Sequence, residues 1–336
     1  MRDWRYSVAE QRGTLLAFAI FLGMFAIYLF KHPAIANNGF SATAVANVVQ
    51  TAANKGVLLA LVAMAQSLVV ITAGIDLSVG MICILANCTA SYIVVGSFGP
   101  ALLGVVGVLG VGLVCGAING LIVIYGRLQP IVTTIATGSI YFGIALWLRP
   151  QPGGADNFNS DIADSVTGRL FGVIPSSLVA LAIVAVILWV PYRRSAIGRA
   201  AYATGSSEIA AYMSGVPIAR AKFAAYTLSG LLAAIGGLYL AFITYSGEAS
   251  LANGGTYTLT SIAAVVIGGV SLFGGSGSAI GAIFGALAYS TVSLLLFVFD
   301  IEALWQPLFE GVVLLLAVSI GSARLFQIRN RLDLFG

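Results

Sequence analysis

Charge is the scarcest property of this sequence. Asp, Glu, Lys and Arg make up 8% of its 336 residues, against roughly 25% in an ordinary soluble domain, and 59% of the chain is hydrophobic. A soluble globular domain is thereby excluded. The net charge of +4 is carried in the stretches between apolar runs, so it reads as membrane topology rather than as attraction for nucleic acid. Histidine is nearly absent as well: His32 is the single one, so a Ser-His-Asp arrangement or a histidine-rich metal site is hard to build. Cys83, Cys88 and Cys115 lie inside apolar segments and form no CxxC pair, which marks them as small packing residues rather than disulfide or metal partners. The dipeptide Gly-Lys occurs nowhere, so there is no GxxxxGK[ST] phosphate loop and no P-loop hydrolysis of ATP by this chain. Acids within apolar segments are almost missing, Asp76 being the clear case. Proton relay is poorly supplied, while sodium coupling through backbone carbonyls stays open.

What fills the chain instead is apolar runs of about 17 to 25 residues, each long enough as a helix to cross a hydrocarbon core. Strands of alternating polarity, the mark of a barrel, are not found. The fold class is all-α and polytopic, with candidate spans at 14–30, 54–74, 77–96, 101–125, 130–148, 174–191, 221–244, 257–272, 278–298 and 304–321. That predicts about ten spans, or eight if two segments are broken or re-entrant. The first reads as a retained helix rather than a cleaved signal. The expected organisation is an N-terminal tail 1–13, one transmembrane domain 14–321 containing a loop at 192–222, and a C-terminal tail 322–336.

Arg2, Arg5 and Arg12 precede the first span, Arg193, Arg194, Arg199, Arg220 and Lys222 crowd 192–222, and Arg324, Arg329 and Arg331 follow the last. The positive-inside rule makes these regions, and both termini, cytoplasmic. Residues 149–173, with Asp156, Asp161 and Asp164, and the short connection holding Asp300 and Glu302, fall outside. Trp4, Tyr6, Trp147, Trp189, Tyr192 and Trp305 lie at or near span ends, where amphipathic rings are expected at the headgroup level.

Forty glycines are far above the usual share of about 7%. Gly112, Gly116 and Gly120 recur at intervals of four, as do Gly277, Gly281 and Gly285, which predicts close helix packing within the chain or at a dimer seam. Two small-residue interruptions, Val69 to Leu77 and Val265 to Leu272, resemble each other when one residue is gapped. Such breaks survive at membrane depth only against protein or a watery cavity and so point to a transport pathway. In the first of them, TAGIDLSVG (72–80), Asp76 is too costly to face lipid. It caps the helix that begins at Leu77 and Ser78, lines a solute path, or sits in a simple cytoplasmic turn.

Within 192–222, Ser206 or Ser207 can cap a helix, Glu208 suits its first turn, Ile209, Tyr212 and Met213 give an apolar face, and Gly215 with Pro217 stops it. A helix of about eight residues is marginal alone. It therefore lies on the membrane surface or on a soluble partner.

Glu208-Ile209-Ala210-Ala211 with Gly215 resembles the EAA-and-glycine signature by which permease subunits of bacterial ABC importers contact their ATPase. GRAAYATGSSEIAAYMSGV (198–216), TAGIDLSVG, GAINGLIVIYGRLQPIVTT (116–134), YTLSGLLAAIGGL (226–238) and SIAAVVIGGVSLFGGSGSAIGAIFGAL (261–287) are similar, in order, to blocks of the ribose-type sugar and branched-chain permeases. The resemblance runs from about residue 45 to 320. It implies a bacterial plasma-membrane subunit, not an enzyme, that pairs with a second permease copy or a related permease and takes a sugar from an external solute-binding protein. A separate ATPase carries ATP and Mg and grips the segment of Gly205, Glu208, Ala210, Ala211 and Gly215. No cofactor is implied in this chain. It also implies that Asp76, Ser78, Asn119, Gly268, Gly269, Gly274 and Gly275 belong to the solute path or its broken helices. Ala73, where glycine is commoner, and Thr258 and Thr260, where acids are often found, depart from the family pattern. Few evident sugar hydrogen-bonders line the apolar segments, which suits a passage that does not bind solute tightly. The alternatives are a stand-alone secondary transporter and, less well supplied with polar groups, a membrane-embedded enzyme.

Overall fold

The computed structural model describes residues 12–154 and 157–309 together with 311, 312 and 315. Arg2, Arg5, Trp4, Tyr6, Asp156, most of the last expected span and the C-terminal tail lie outside the described residues.

The chain is helical almost throughout. α1 (Arg12–Lys31) is followed by the short α2 (Pro33–Asn38), which the His32 Nδ1 caps by accepting from the Ala34 N–H at 3.1 Å. α3 (Ala42–Ile71), α4 (Val79–Ile93), α5 (Phe98–Tyr125) and α6 (Pro130–Leu148) complete the first half. A small folded insertion then holds α7 (Ser160–Thr167) and a two-residue hairpin, β1 (Arg169–Leu170) against β2 (Ile174–Pro175). α8 (Ser176–Val184), a π turn (Ala185–Trp189) and α9 (Val190–Arg194) form one rod. The polar connection carries α10 (Ala196–Ser206) and α11 (Glu208–Met213). α12 (Ile218–Thr244), α13 (Leu251–Ile267) and α14 (Ala279–Val298) follow. Among the described residues seven helices are long and apolar enough to cross a membrane, namely α1, α3, α5, α6, the α8–α9 rod, α12 and α14, while α4 and α13 are apolar but shorter. The protein is an all-α multi-pass membrane protein.

α3 is the axis of the bundle. From Gly56 to Ile71 it is buried on every side, Gln66 and Ser67 included, which is why its sequence is apolar all round instead of striped. At about 1.5 Å per residue its 30 residues run some 45 Å, half again the thickness of a hydrocarbon core.

The glycines settle as packing within the chain. A Cβ on Gly230 of α12 would stand 2.7 Å from the Gly116 N and 2.8 Å from its Cα, and one on Gly120 would meet Phe223 and Tyr226 at 3.2 and 3.3 Å. α5 and α12 therefore approach backbone to backbone. Gly281 and Gly285 do the same for α14 against Ala264 of α13 and Gly268 just past its end. Gly277 does not share their face: it precedes α14 and holds φ +115, so that expected trio is a pair.

Trp189 and Tyr192 also correct the expectation of an interfacial belt. Both are buried, with ring centroids 6.1 Å apart. Pro191 has no N–H to give the Ile187 carbonyl, and the turn before it widens so that the Val190 N–H reaches the Ala185 carbonyl. The extra residue per turn rotates these rings onto the bundle. Trp147 remains exposed.

The insertion docks on the starts and ends of the long helices at one face of the bundle. Gln50 Nε2 and Asn54 Nδ2 of α3 both donate to the Thr167 carbonyl, at 2.9 and 3.0 Å, and Gly153 pairs with Gly247 through two backbone bonds of 3.0 and 2.9 Å. The Tyr245 hydroxyl donates to the Asp164 carboxylate, and that hydrogen bond, followed by burial and the carboxylate's charge, raises the phenol's pKa above its ordinary value.

Candidate functional site

Both interruptions flagged in the sequence are real breaks, and they share one backbone device. After Val69-Val70-Ile71, the Ala73 N–H returns to the Val70 carbonyl and the Gly74 N–H to the Val69 carbonyl. After Val265-Val266-Ile267, the Gly269 N–H returns to Val266 and the Val270 N–H to Val265. Each pair is a Schellman closure, with the residue at the left-handed position being Ala73 (φ 62) in one and Gly269 (φ 77) in the other. The two motifs superimpose without a gap up to this residue; the gap belongs to the longer connection 268–278.

The breaks meet. The Gly275 N–H donates to the Ile71 carbonyl at 2.9 Å, and a Cβ on Gly274 would fall 2.7 Å from the Ala73 N. Into the same junction comes the end of α10. A Cβ on Gly205 would run into the Ile71 carbonyl and stand 2.5 Å from the Gly275 N, while one on Gly275 would meet the Ser206 backbone N at 2.8 Å. The Tyr202 hydroxyl adds a 2.6 Å bond to the Gly277 carbonyl. Only glycine backbone lets three chain segments close at one point.

Asp76 lies fully buried just past the first break. Its Oδ1 accepts from the Ser78 N–H at 2.9 Å and from the Ser78 Oγ at 2.6 Å. Asn119 Nδ2 of α5 donates to that Ser78 Oγ at 2.7 Å, and the Tyr141 hydroxyl of α6 donates towards the Asn119 Oδ1 and the Cys115 carbonyl, each at 3.0 Å. The Leu77 N–H is taken by Thr134 Oγ1 (2.9 Å) and the Gly80 N–H by Thr258 Oγ1 (3.1 Å). Asp76, Ser78 and Asn119 thus stand in one chain of bonds that ties the start of α4 to α5 and α6. Its Asx turn onto Ser78 serves the entrance of α4. The Asp76 Oδ2, the Tyr226 hydroxyl and both ends of the Gln66 amide are buried without a partner among the described residues, which leaves bonding capacity inside the bundle.

α11 is shorter than the sequence suggested, six residues, and Ser207 rather than Ser206 caps it, accepting from the Ala210 N–H. Gly215, at φ 71, ends it with the same closure: its own N–H bonds the Tyr212 carbonyl and the Val216 N–H bonds Ala211. Ala211 is buried, whereas Ile209, Tyr212 and Met213 are exposed at 77%, 77% and 82%. The apolar face therefore points away from its own chain. Glu208 is held by a 2.8 Å pair with Lys222 at the start of α12.

The family model described as "Branched-chain amino acid transport system / permease component" matches residues 48–318. The chain belongs to this family. This permease is 33% identical to the ribose import permease protein RbsC of Bacillus subtilis over 92% of its own length and 93% of that protein. It is 34% identical to the fructose import permease protein FrcC of Rhizobium meliloti, over 91% and 82%, and 36% identical to the probable ABC transporter permease protein y4mJ of Sinorhizobium fredii, over 82% and 80%. No solved structure gives a significant match. Membership makes this chain a transport subunit and not an enzyme.

Sequence reasoning placed Gly205 with the ATPase contact alone; its position against both breaks had no signal in the sequence, because its neighbours lie 134 and 70 residues away, at Ile71 and Gly275. It also missed α10 as a helix and passed over Thr51, Asn54, Thr256, Ser290 and Ser293, which with Lys55, Thr260 and Gln306 border a cavity of about 510 Å³ between α3, α12, α13 and α14. Polar residues spaced along apolar helices would have been the clue.

Proposed function

We propose that this permease passes a sugar or sugar-like solute across the bacterial plasma membrane as one half of a permease pair, driven by a separate ATPase subunit that carries ATP and Mg and supplied by an external solute-binding protein. The nine apolar helices among the described residues support the reading of ten spans with both termini in the cytoplasm. The curated relatives named for ribose and fructose import support the solute class. The insertion 149–175, packed on the opposite end of α3 from Ile71, is the receiving face.

The observation that carries the reading is the triple junction at Gly205. The ATPase grips α11 by Ile209, Tyr212 and Met213, with Glu208, Ala210 and Gly215 setting the helix's start, face and end. Ala211 anchors it to its own chain. Movement there passes through α10 to Gly205, which bears on the breaks at Ile71–Ala73 and Gly274–Gly275. These breaks, with Gly268 and Gly269 as the hinge of the second and Asp76, Ser78 and Asn119 bracing the far side of the first, form the inner gate.

The test is uptake of labelled ribose and fructose by the assembled complex carrying Glu208→Lys with Gly215→Pro. The variant is expected to insert and fold, to lose the co-purifying ATPase and to lose uptake; undiminished uptake with the ATPase still bound would refute the coupling role.

A further inference from the structure

The hairpin of β1 and β2 exposes an apolar run. Leu170, Phe171, Val173 and Ile174 are all exposed, Phe171 at 95%, with Gly172 between them. Turns that face water are built from polar residues, so consecutive exposed apolar ones mark a surface that something covers.

The turn itself sharpens the point. The Val173 N–H returns to the Leu170 carbonyl at 3.2 Å, and the two residues between them, Phe171 at φ 54 and Gly172 at φ 74, are both left-handed. This is a type I′ turn, whose first central position ordinarily belongs to Asn, Asp or Gly. For a bulky residue a positive φ is a costly outlier, and at 95% exposure Phe171 gains almost no burial within its own chain in return. The compensation comes from outside the chain.

Two helices measure how deep the hairpin lies. The rod Ser176–Arg194 begins at the residue after β2 and has 19 residues, about 28 Å at 1.5 Å per residue, with Arg193 and Arg194 at its cytoplasmic end. That is close to one hydrocarbon thickness of about 30 Å, which brings Pro175 to the outer boundary. The base of the hairpin is tied to α3, where Arg169 Nε and Nη2 donate to Gln50 Oε1 and Asn47 Oδ1. Gln50 stands 21 residues before Ile71 at the cytoplasmic break, about 31 Å along the helix. Both rulers give headgroup depth. The rod also presents Ile183, Val186 and Ile187, apolar and exposed, as a lipid-facing surface. The hairpin runs directly into that rod, so its apolar residues stand at the upper edge of a surface that already faces lipid. α6, another helix of 19 residues, reaches the exposed Trp147 one residue before its outer end, as an interfacial ring would.

We propose that the hairpin is a membrane anchor: Phe171, flanked by Leu170, Val173 and Ile174, enters the boundary between headgroups and acyl chains of the outer leaflet and fixes the height of the insertion, while Asp161 of α7 stays in water. Residues 170–174 carry no charge, so the contact is with the lipid interface itself and not with anionic headgroups. The proposal rests on the outer placement of residues 149–175 and is independent of the solute.

The experiment is collision accessibility of a nitroxide label in the whole complex, reconstituted in vesicles of phosphatidylcholine with or without phosphatidylglycerol. Cys83, Cys88 and Cys115 are buried, so the background is low. The label is carried at Val173→Cys, which leaves Phe171 in place, or at the exposed Asp161→Cys as the water-side control. At Val173 oxygen is expected to relax the label several-fold more than a water-soluble nickel chelate does, equally in both lipids, and at Asp161 the order reverses. A Val173 label reached chiefly by the nickel chelate would overturn the anchor. A label shielded from both reagents would put a protein surface over the tip, and one that turns from nickel-accessible to shielded on adding the solute-binding protein would make the tip a docking point; either overturns the lipid contact. Phe171→Asn, which suits the left-handed turn, is expected to raise nickel accessibility at Val173 several-fold without lowering the melting temperature of the complex, and unchanged accessibility would show that Phe171 is not the anchor. In sealed right-side-out native membranes an impermeant thiol reagent is expected to modify Asp161→Cys. Modification only after lysis would refute the outer placement and the anchor with it, whereas modification from outside together with a nickel-accessible Val173 would refute the anchor alone.

Discussion

Replacing Gly205 with alanine adds one methyl group at the point where α10 meets both breaks. Built on the existing backbone, that methyl would overlap the Ile71 carbonyl and stand 2.5 Å from the Gly275 N and 3.0 Å from the Ile71 carbonyl carbon. All three obstacles are main chain, so no side-chain rotation relieves them. Forcing a methyl into a packed site costs about 1–3 kcal/mol. The displacement also opens the 2.9 Å bond between the Gly275 N–H and the carbonyl of the buried Ile71, and a buried acceptor left unpaired costs about 1–3 kcal/mol more. The sum is about 2–6 kcal/mol, a large part of an ordinary folding free energy. Gly143→Ala is the control, because a Cβ there meets nothing within 4 Å. In thermal unfolding of the purified complex, Gly205→Ala is expected to melt several degrees below the parent while Gly143→Ala does not. Its ATP-driven uptake should fall even at temperatures where it remains folded. Parental melting together with parental uptake would refute both the wedge and its role in coupling.

Three further outcomes follow from the same geometry. Ala73→Gly relieves a left-handed residue at φ 62, which for a side-chain-bearing residue costs about 1–2 kcal/mol. Part of this is offset by the greater freedom of glycine in the unfolded chain, so a net gain of about 0.5–1 kcal/mol is expected in thermal stability, and a loss would contradict the assigned conformation. Asn119→Ala removes the bonds to Ser78 and Tyr141 and should destabilise by about 2–3 kcal/mol, whereas unchanged melting would show the Asp76 chain to be energetically idle. His32 must be neutral at Nδ1 to cap α2, and burial lowers its pKa from the ordinary 6.5. With the folded value below the unfolded one, its contribution is present above pH 6.5 and is lost as the pH falls through the folded value. The parent should therefore lose melting temperature relative to His32→Asn on acidification below that point; parallel curves would exclude the cap.

The apolar runs alone were enough to place most of the bundle. Residues 130–148 became α6 end for end, and 278–298 became α14 with its start one residue later, because in lipid a helix must satisfy its own backbone and the length of the run sets the length of the helix. The break at TAGIDLSVG, the helix capped by Ser207 and the family were legible for the same local reason: caps, glycines and signatures act within a few residues of themselves. What lay out of reach was whatever depends on contacts between distant segments. Trp189 looked like an interfacial ring until the turn before Pro191 rotated it inward. The glycine series on α5 could equally have faced a second copy, and only Gly230 of α12 decided otherwise. Asp76 was a capping residue, a pathway residue or part of a simple turn on the sequence; the chain of bonds it joins runs from Ser78 at the start of α4 to Asn119 of α5 and Tyr141 of α6. The role of Gly205 is the clearest case. A glycine in a polar connection has no periodicity to betray it, and its importance arises only because Ile71 and Gly275 are brought within bonding distance of each other and leave no room for a Cβ.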